Sequence, residues 1–258
     1  MRVLILTILL AHGVLGGEIY DQLDIHEQAC GPVAWMNAQV LSDERWGDQY
    51  AALPIEVNDR FDILYRHCFR QFSSYAYMKR RWDKENGIRP DDLRDGINMM
   101  HRRLRLPKLQ LSSLFLRKGE SKEMLSGRVF EEIQGSLDQG FTPLLVLSRF
   151  QKIKYRNGGF RWGVVGSHVV TVTSVSREEV DLAIAYCDPW GARRLRGTLG
   201  STDKVYFAND ICAKPKRGLE KNPCMVADFE ATSVAPVRVA LSVESVVVAS
   251  HLLLAGRE

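Results

Sequence analysis

The chain has 258 residues, of which 45% are hydrophobic, 26% charged and 9% aromatic, with 20 Gly and 9 Pro. That composition excludes whole-chain disorder and any collagen-like or low-complexity structure, and one domain or two lobes around a cleft are expected. A formal charge of +4, from 35 Lys+Arg and 31 Asp+Glu, is small for this length and gives no argument for a nucleic-acid partner.

Residues 1–17 read as a targeting segment. Arg2 supplies a short positive start, Val3 to Leu10 an apolar run, and Val14-Leu15-Gly16-Gly17 small residues at a cleavage point. The expectation is a cleaved secretory signal, a mature chain starting near Gly17 or Glu18, and a secreted or periplasmic product. An uncleaved anchor would need about twenty apolar residues, roughly twice this run. The stretch Val243 to Ala255 is also apolar, but Glu244 and His251 interrupt it. It is too short and too polar to span a bilayer, so no stable membrane insertion is expected after signal removal.

From Cys30 to Leu41 the apolar residues fall at helix-compatible positions, with Gly31-Pro32 at the start, where the missing proline N–H would have no partner anyway. Asn58 to Trp82 carries Phe61, Leu64, Cys68, Phe69 and Phe72 at mixed helical spacing, and Pro90-Asp91-Asp92 opens a helix running to about His101. Ser121 to Gln139 predicts another, closed by Gly140. The second half changes character: Pro143 to Phe150, His168 to Val175, Val180 to Cys187 and Lys204 to Phe207 are strand-like runs. Gln151 to Gly159 reads as an exposed loop, and no dependable pattern follows Cys212. The basic clusters at Lys79-Arg80-Arg81, Arg102-Arg103-Arg105 and Arg193-Arg194-Arg196 read as solvated helix faces. The layout is α+β, with residues 18–208 as one domain and 209–258 as a tail of uncertain structure.

Five cysteines in an exported chain leave one thiol over whatever pairs. Cys212 and Cys224 are the natural local pair, although spacing does not fix connectivity. No CxxC or HExxH spacing occurs, so a zinc site is unsupported and no metal is expected.

A cysteine at a helix N-terminus meets the positive end of the dipole, which favours its thiolate, and free N–H groups that can bind an anion. Cys30 occupies such a place, although a free cysteine is also a common small core residue. Two further groups stand out: Ser167-His168-Val169-Val170 opens one strand, and Cys187-Asp188-Pro189-Trp190-Gly191 closes the next. Taking Ser176 to Val180 as the turn, centred on Glu178, sets His168 directly opposite Asp188, on the face that carries Val170, Val172, Leu182, Ile184 and Tyr186. A carboxylate there would fix the imidazole tautomer, and a satisfied structural pair is the plainer alternative. His26, four residues before Cys30, and His67 are rival bases. His101 and His251 have no candidate partner nearby in sequence.

Nucleophile first on a helix, then His and Asp on a later sheet, is the order of papain-like thiol enzymes. Gln28-Ala29-Cys30-Gly31-Pro32-Val33-Ala34, Gly166-Ser167-His168-Val169-Val170 and Asp188-Pro189-Trp190-Gly191 resemble the three motifs of the peptidase family that trims double-glycine leader peptides, together with its stand-alone secreted relatives. The likeness spans roughly Asp21 to Phe207. It implies a papain-like fold, with a helical N-terminal lobe carrying the cysteine helix packed on a C-terminal antiparallel sheet. It also implies Cys30 as nucleophile, His168 as general base and Asp188 as orienting group. Relatives place an oxyanion-binding glutamine about six residues before the cysteine. Asp24 stands there in this chain, and Gln28 and Gln22 are the available substitutes.

The function expected is an exported monomeric cysteine peptidase or amidohydrolase acting on a peptide or protein through an acyl-enzyme, with no cofactor. Leader maturation as such is not expected, because relatives doing it are fused to a membrane transporter. Two alternatives stay open: acyl transfer to a thiol or amine, as in phytochelatin synthases, and a secreted binding protein that retains the triad unused.

Overall fold

The computed structural model describes residues 18–154, 160–179, 181–202, 223–229 and 245–256. The expected signal at 1–17, the strand Lys204 to Phe207, and Cys212 with its proposed pairing lie outside the described residues.

Helix α1 (Cys30–Leu41) is followed by α2 (Glu44–Tyr50) and by α3 (Val57–Leu64), which runs on as a π-helical turn over Tyr65–Phe69. A short hairpin, β1 (Trp82–Asp83) and β2 (Gly87–Ile88), leads into α4 (Pro90–Leu104), β3 (Leu109–Ser113) and α5 (Lys122–Asp138). Local chemistry explains the boundaries. Pro90 opens α4 with Asp91 and Asp92 in its first turn, where carboxylates complement the dipole. Ser121 caps α5, its hydroxyl accepting from Met124 N–H at 3.2 Å. Gly140 then reverses the chain at φ 77°, and a Cβ there would meet the Asp43 carboxylate at 1.8 Å, so only glycine fits. Helix α1 is buried on nearly every side, from Gly31 to Gln39, as its unbroken apolar run requires.

Strands β4 (Leu144–Lys154), β5 (Phe160–Glu178), β6 (Asp181–Asp188), β7 (Arg193–Ser201), β8 (Met225–Phe229) and β9 (Ser245–Ala255) are antiparallel neighbours in the order β9-β4-β5-β6-β7-β8. β8 pairs back onto β9, so the six strands close into a barrel. One edge of β9 serves β4 along most of its length. The other serves β8 at Val248 and Ala249 and then β3 from His251 to Ala255.

This closure overturns the expected papain-like arrangement of a helical lobe on an antiparallel sheet. The closing strands β8 and β9 come from the 209–258 segment, where no pattern was legible. β9 is buried on both faces: Ala249, Leu252 and Leu254 join the barrel core, while Leu253 and Ala255 join the helical core. Such a strand reads as a continuous apolar run without alternation. Pairing both of its edges removes exposed strand edges that a sheet would otherwise have to protect.

Two cores result. The inner core gathers Leu145, Leu147, Val170, Val172, Ile184, Leu199 and Met225 from the barrel with Leu125, Val129 and Ile133 of α5. The outer core packs α1 and the neighbouring helices against Leu144, Val146, Val169 and Leu253. Three further expectations are corrected. Gln151 to Lys154 extends β4 rather than forming a loop, and α2 and β7 were not foreseen. The cluster Arg193-Arg194-Arg196 lies on β7, and Lys79-Arg80-Arg81 lies in the connection between the π-helical turn and β1, so neither is on a helix face.

Candidate functional site

Cys30 is the first residue of α1 and half-buried. Ala29 before it makes no side-chain cap. Pro32 has no N–H, and the Val33 N–H is taken by Ala29 O at 3.0 Å, which leaves the Cys30 and Gly31 N–H groups as first-turn donors beside the thiol. Gly31 is needed for a close approach: a Cβ there would come within 2.4 Å of Ile88 on β2. The helix is also pinned to the barrel, because Thr171 Oγ1 on β5 donates to Ala34 O at 2.8 Å.

His168 Nε2 lies 2.7 Å from Asp188 Oδ1, with both side chains almost fully buried. An ionised carboxylate only accepts, so Nε2 carries the hydrogen and donates. The Cys30 side chain lies close enough to the same imidazole to favour its protonated form, and Nδ1 is the ring nitrogen that Asp188 leaves for it. Burial alone would push the His168 pKa down. The interactions with Asp188 and Cys30 outweigh it and raise the value to about 9. Burial likewise works against ionised Asp188, yet His168, the Trp190 N–H and Arg193 hold its carboxyl below the usual carboxylate range.

The expected register is corrected. The β5–β6 turn falls after Glu178, which pairs with Asp181, and a bulge between Val172 and Ser174 shifts the ladder so that Thr171 faces Cys187. Continued by one pair, that register sets Asp188 opposite Val170, with His168 two residues further along β5. Diagonal neighbours of this kind remain within reach of long side chains. Val170, Val172, Leu182, Ile184 and Tyr186 do share one core, as expected.

Asp188 is held on three sides. Oδ1 also accepts from Trp190 N–H at 2.9 Å, and Oδ2 from Arg193 Nη2 at 3.2 Å. The connection to β7 reverses through Gly191 and Ala192, both with positive φ. It is tied to the segment before the cysteine: Gln22 N–H donates to Pro189 O at 2.8 Å, and Gly191 N–H to Asp21 Oδ1 at 2.9 Å. Sequence reasoning missed Asp21 and Arg193, because neither lies in a motif and only the fold brings them to Asp188 and its loop.

Of the two glutamines, Gln22 is buried and Gln28 exposed. Gln22 Nε2 donates to Glu27 O at 2.6 Å, and the amide keeps a second N–H. Gln28 instead offers its backbone carbonyl to Trp82 Nε1 at 2.9 Å.

The other histidines are engaged elsewhere. His26 Nδ1 accepts from Gln28 N–H at 3.1 Å, and His67 is exposed on the π-helical turn. His101 is buried between α2 and α4 in the helical core. Its Nδ1 donates to Pro107 O at 2.6 Å, so Nε2 accepts from the Tyr50 hydroxyl. Burial lowers both His101 and His251 to about 4. Cys68 and Cys224 are buried thiols pushed up to about 12, which makes them poor nucleophiles. Among the described residues no group of three His, Cys, Asp or Glu side chains is placed to hold a metal ion, and no helix is long and apolar enough to cross a membrane.

A scan of protein-family models, a search of curated proteins and a search of solved structures each found no match to this chain. The family resemblance therefore stands on the three motifs alone, and the functional argument on the geometry around Cys30.

Proposed function

We propose that this protein is an exported thiol hydrolase that cleaves a peptide or amide bond with Cys30 as nucleophile, His168 as general base and acid, and Asp188 as orienting group. One observation carries the reading. A buried imidazole is held by a carboxylate on Nε2 at 2.7 Å, with a helix-terminal thiol near enough to raise its pKa, an arrangement that can activate a nucleophile. The motif resemblance to the leader-peptidase family points the same way, although its fold does not apply here.

In this reaction the Cys30 proton rests on His168, whose raised pKa favours the imidazolium, and the thiolate Sγ adds to the substrate carbonyl carbon. The carbonyl electron pair moves onto oxygen, where the Cys30 N–H and the spare Gln22 amide hydrogen are the proposed donors. As the tetrahedral adduct collapses, the C–N bond breaks and His168 passes its proton to the leaving amine. His168 then takes a proton from water, the hydroxide adds to the thioester, and collapse returns the thiolate with release of the acid.

Alkylation of the mature protein by iodoacetamide across pH tests the thiolate. Reaction of Cys30 well below pH 8 supports the reading. A thiol that reacts only above about pH 8, as an unperturbed cysteine does, supports a binding protein with an unused triad. Product analysis with and without an added amine or thiol separates hydrolysis from acyl transfer.

A further inference from the structure

A cavity of about 620 Å³ lies between the 18–24 segment, the C-terminal half of α1, α2 and the start of α3. It is separate from the thiol: Gln39 in its wall is nine residues beyond Cys30 on the same helix, about 14 Å along the axis.

Two buried donors line it. Arg60 on α3 is 6% exposed, and every acceptor it finds is neutral: Pro54 O at 2.6 Å from Nε, Gln39 Oε1 at 3.0 Å from Nη1, and Leu53 O at 3.4 Å from Nη2. Three of its five N–H groups are used and two are left. Gln39 is 3% exposed, and with Oε1 given to Arg60 its amide Nε2 has no partner among the described residues. Burial works against the Arg60 charge. The guanidinium also lies over the Tyr20 ring, 5.6 Å from its centroid. A buried cation without an acidic partner, beside an orphan N–H donor, is a costly arrangement that a bound anion relieves.

The rest of the wall narrows the ligand. Val40, Ile55 and Val57 offer apolar surface, while exposed Glu18, Asp24 and Glu56 and half-buried Asp21 stand around it. Carboxylates there repel a multiply charged anion such as a phosphate ester and tolerate a single negative charge carried to the floor on an apolar body.

We propose that this cavity binds a monocarboxylate with an apolar body, its carboxylate received by Arg60 and the Gln39 amide. The two sources of that chemistry are the C-terminus of an apolar peptide and a fatty acid. The proposal does not rest on the hydrolase reading, since binding is measured in protein that cannot turn over.

The test is calorimetric titration of the full-length Cys30→Ala protein with N-acetyl-leucine, N-acetyl-leucine amide, octanoate and inorganic phosphate. At least one carboxylate should bind saturably and at least tenfold more tightly than the neutral amide, and which of the two binds better identifies the source. Gln39→Glu, which places a carboxylate against Arg60 and removes the orphan donor, should weaken that binding at least tenfold. Exposed Glu56→Gln is a second variant that leaves the buried network untouched, and it should tighten binding about twofold by removing a like charge. Circular dichroism confirms folding of each. Equal binding of acid and amide, no saturable carboxylate binding by folded protein, or tighter binding of phosphate overturns the proposal.

Discussion

His168 and Asp188 meet at 2.7 Å although they are not opposite one another in the β5–β6 ladder. The contact exists because the ladder slips at the bulge after Val172 and because the Asp188 carboxylate is held in place by the Trp190 N–H and Arg193. Burial makes the arrangement exacting, since neither group can turn to water for a replacement partner.

Cys30→Ala removes the only atom that can carry the acyl group and should be the most damaging change, with His168→Ala close behind. Asp188→Ala leaves nucleophile and base present but frees the imidazole, a loss on the order of 10⁴ in turnover for triads of this kind. Because the three act as a unit, the Cys30/Asp188 double variant should be no slower than Cys30→Ala. Undiminished hydrolysis by folded Cys30→Ala protein would remove Cys30 from the mechanism.

The pH profile should report His168. With its pKa raised to about 9, the imidazolium that protonates the leaving amine persists through neutrality, and kcat/KM should fall as pH rises through about 9. Asp188→Asn takes away a main cause of the raised value and leaves burial, which acts downward. The basic limb should therefore move to lower pH, and an unmoved limb would assign it to another group.

Asp21 is expected to act through position. Its carboxylate caps the turn at Leu23 N–H, 2.9 Å away, and holds Gly191 N–H at 2.9 Å. Asp21→Ala should cost about 1 kcal/mol of stability as a lost cap and should lower kcat more than it raises KM. Asp21→Asn keeps an acceptor oxygen and should restore most of both. Equal effects from the two substitutions would contradict a hydrogen-bonding role.

Stability should depend on pH in two windows of opposite sign. His101 and His251 have folded values near 4, below the ordinary 6.5. Between about 6.5 and 4 the unfolded chain binds more protons, so stability falls as pH falls, by up to roughly 3 kcal/mol for each histidine. His168 is raised, so its contribution is fully present below 6.5 and is lost as pH climbs through about 9. Urea midpoints measured from pH 4 to 10 should peak between these windows, and a midpoint that rises on acidification below about pH 6.5 would refute the assignment of His101 and His251.

Barrel closure should depend on β9. Leu252 is fully buried in the inner core, and Leu252→Ala should cost about 2–5 kcal/mol. Removing residues 245–258 should abolish cooperative unfolding altogether, because β3, β4 and β8 all lose a partner. A cooperative transition in the truncated chain would show that the barrel does not need its closing strand.

The sequence by itself determined the helix that opens at Cys30, the start of α4, the span of α5 and the shared apolar face of β5 and β6, since caps, glycines and local periodicity are written in short windows. It also singled out Cys30, His168 and Asp188, of which the fold joins His168 and Asp188 by a hydrogen bond and sets Cys30 beside the imidazole. Only the tertiary structure decided the rest. The β5–β6 turn lies between Glu178 and Asp181 and is not centred on Glu178, and the bulge after Val172 takes back only part of that shift, which is why the His168–Asp188 pairing is diagonal and not direct. β9 is mostly apolar without alternation, Ser250 and His251 being buried with it, so its sequence fits a strand buried on both faces as well as it fits no particular pattern. Closing a barrel joins segments far apart in the chain, and the pairing of β8 with β9 is set by the whole strand order and not by any local window.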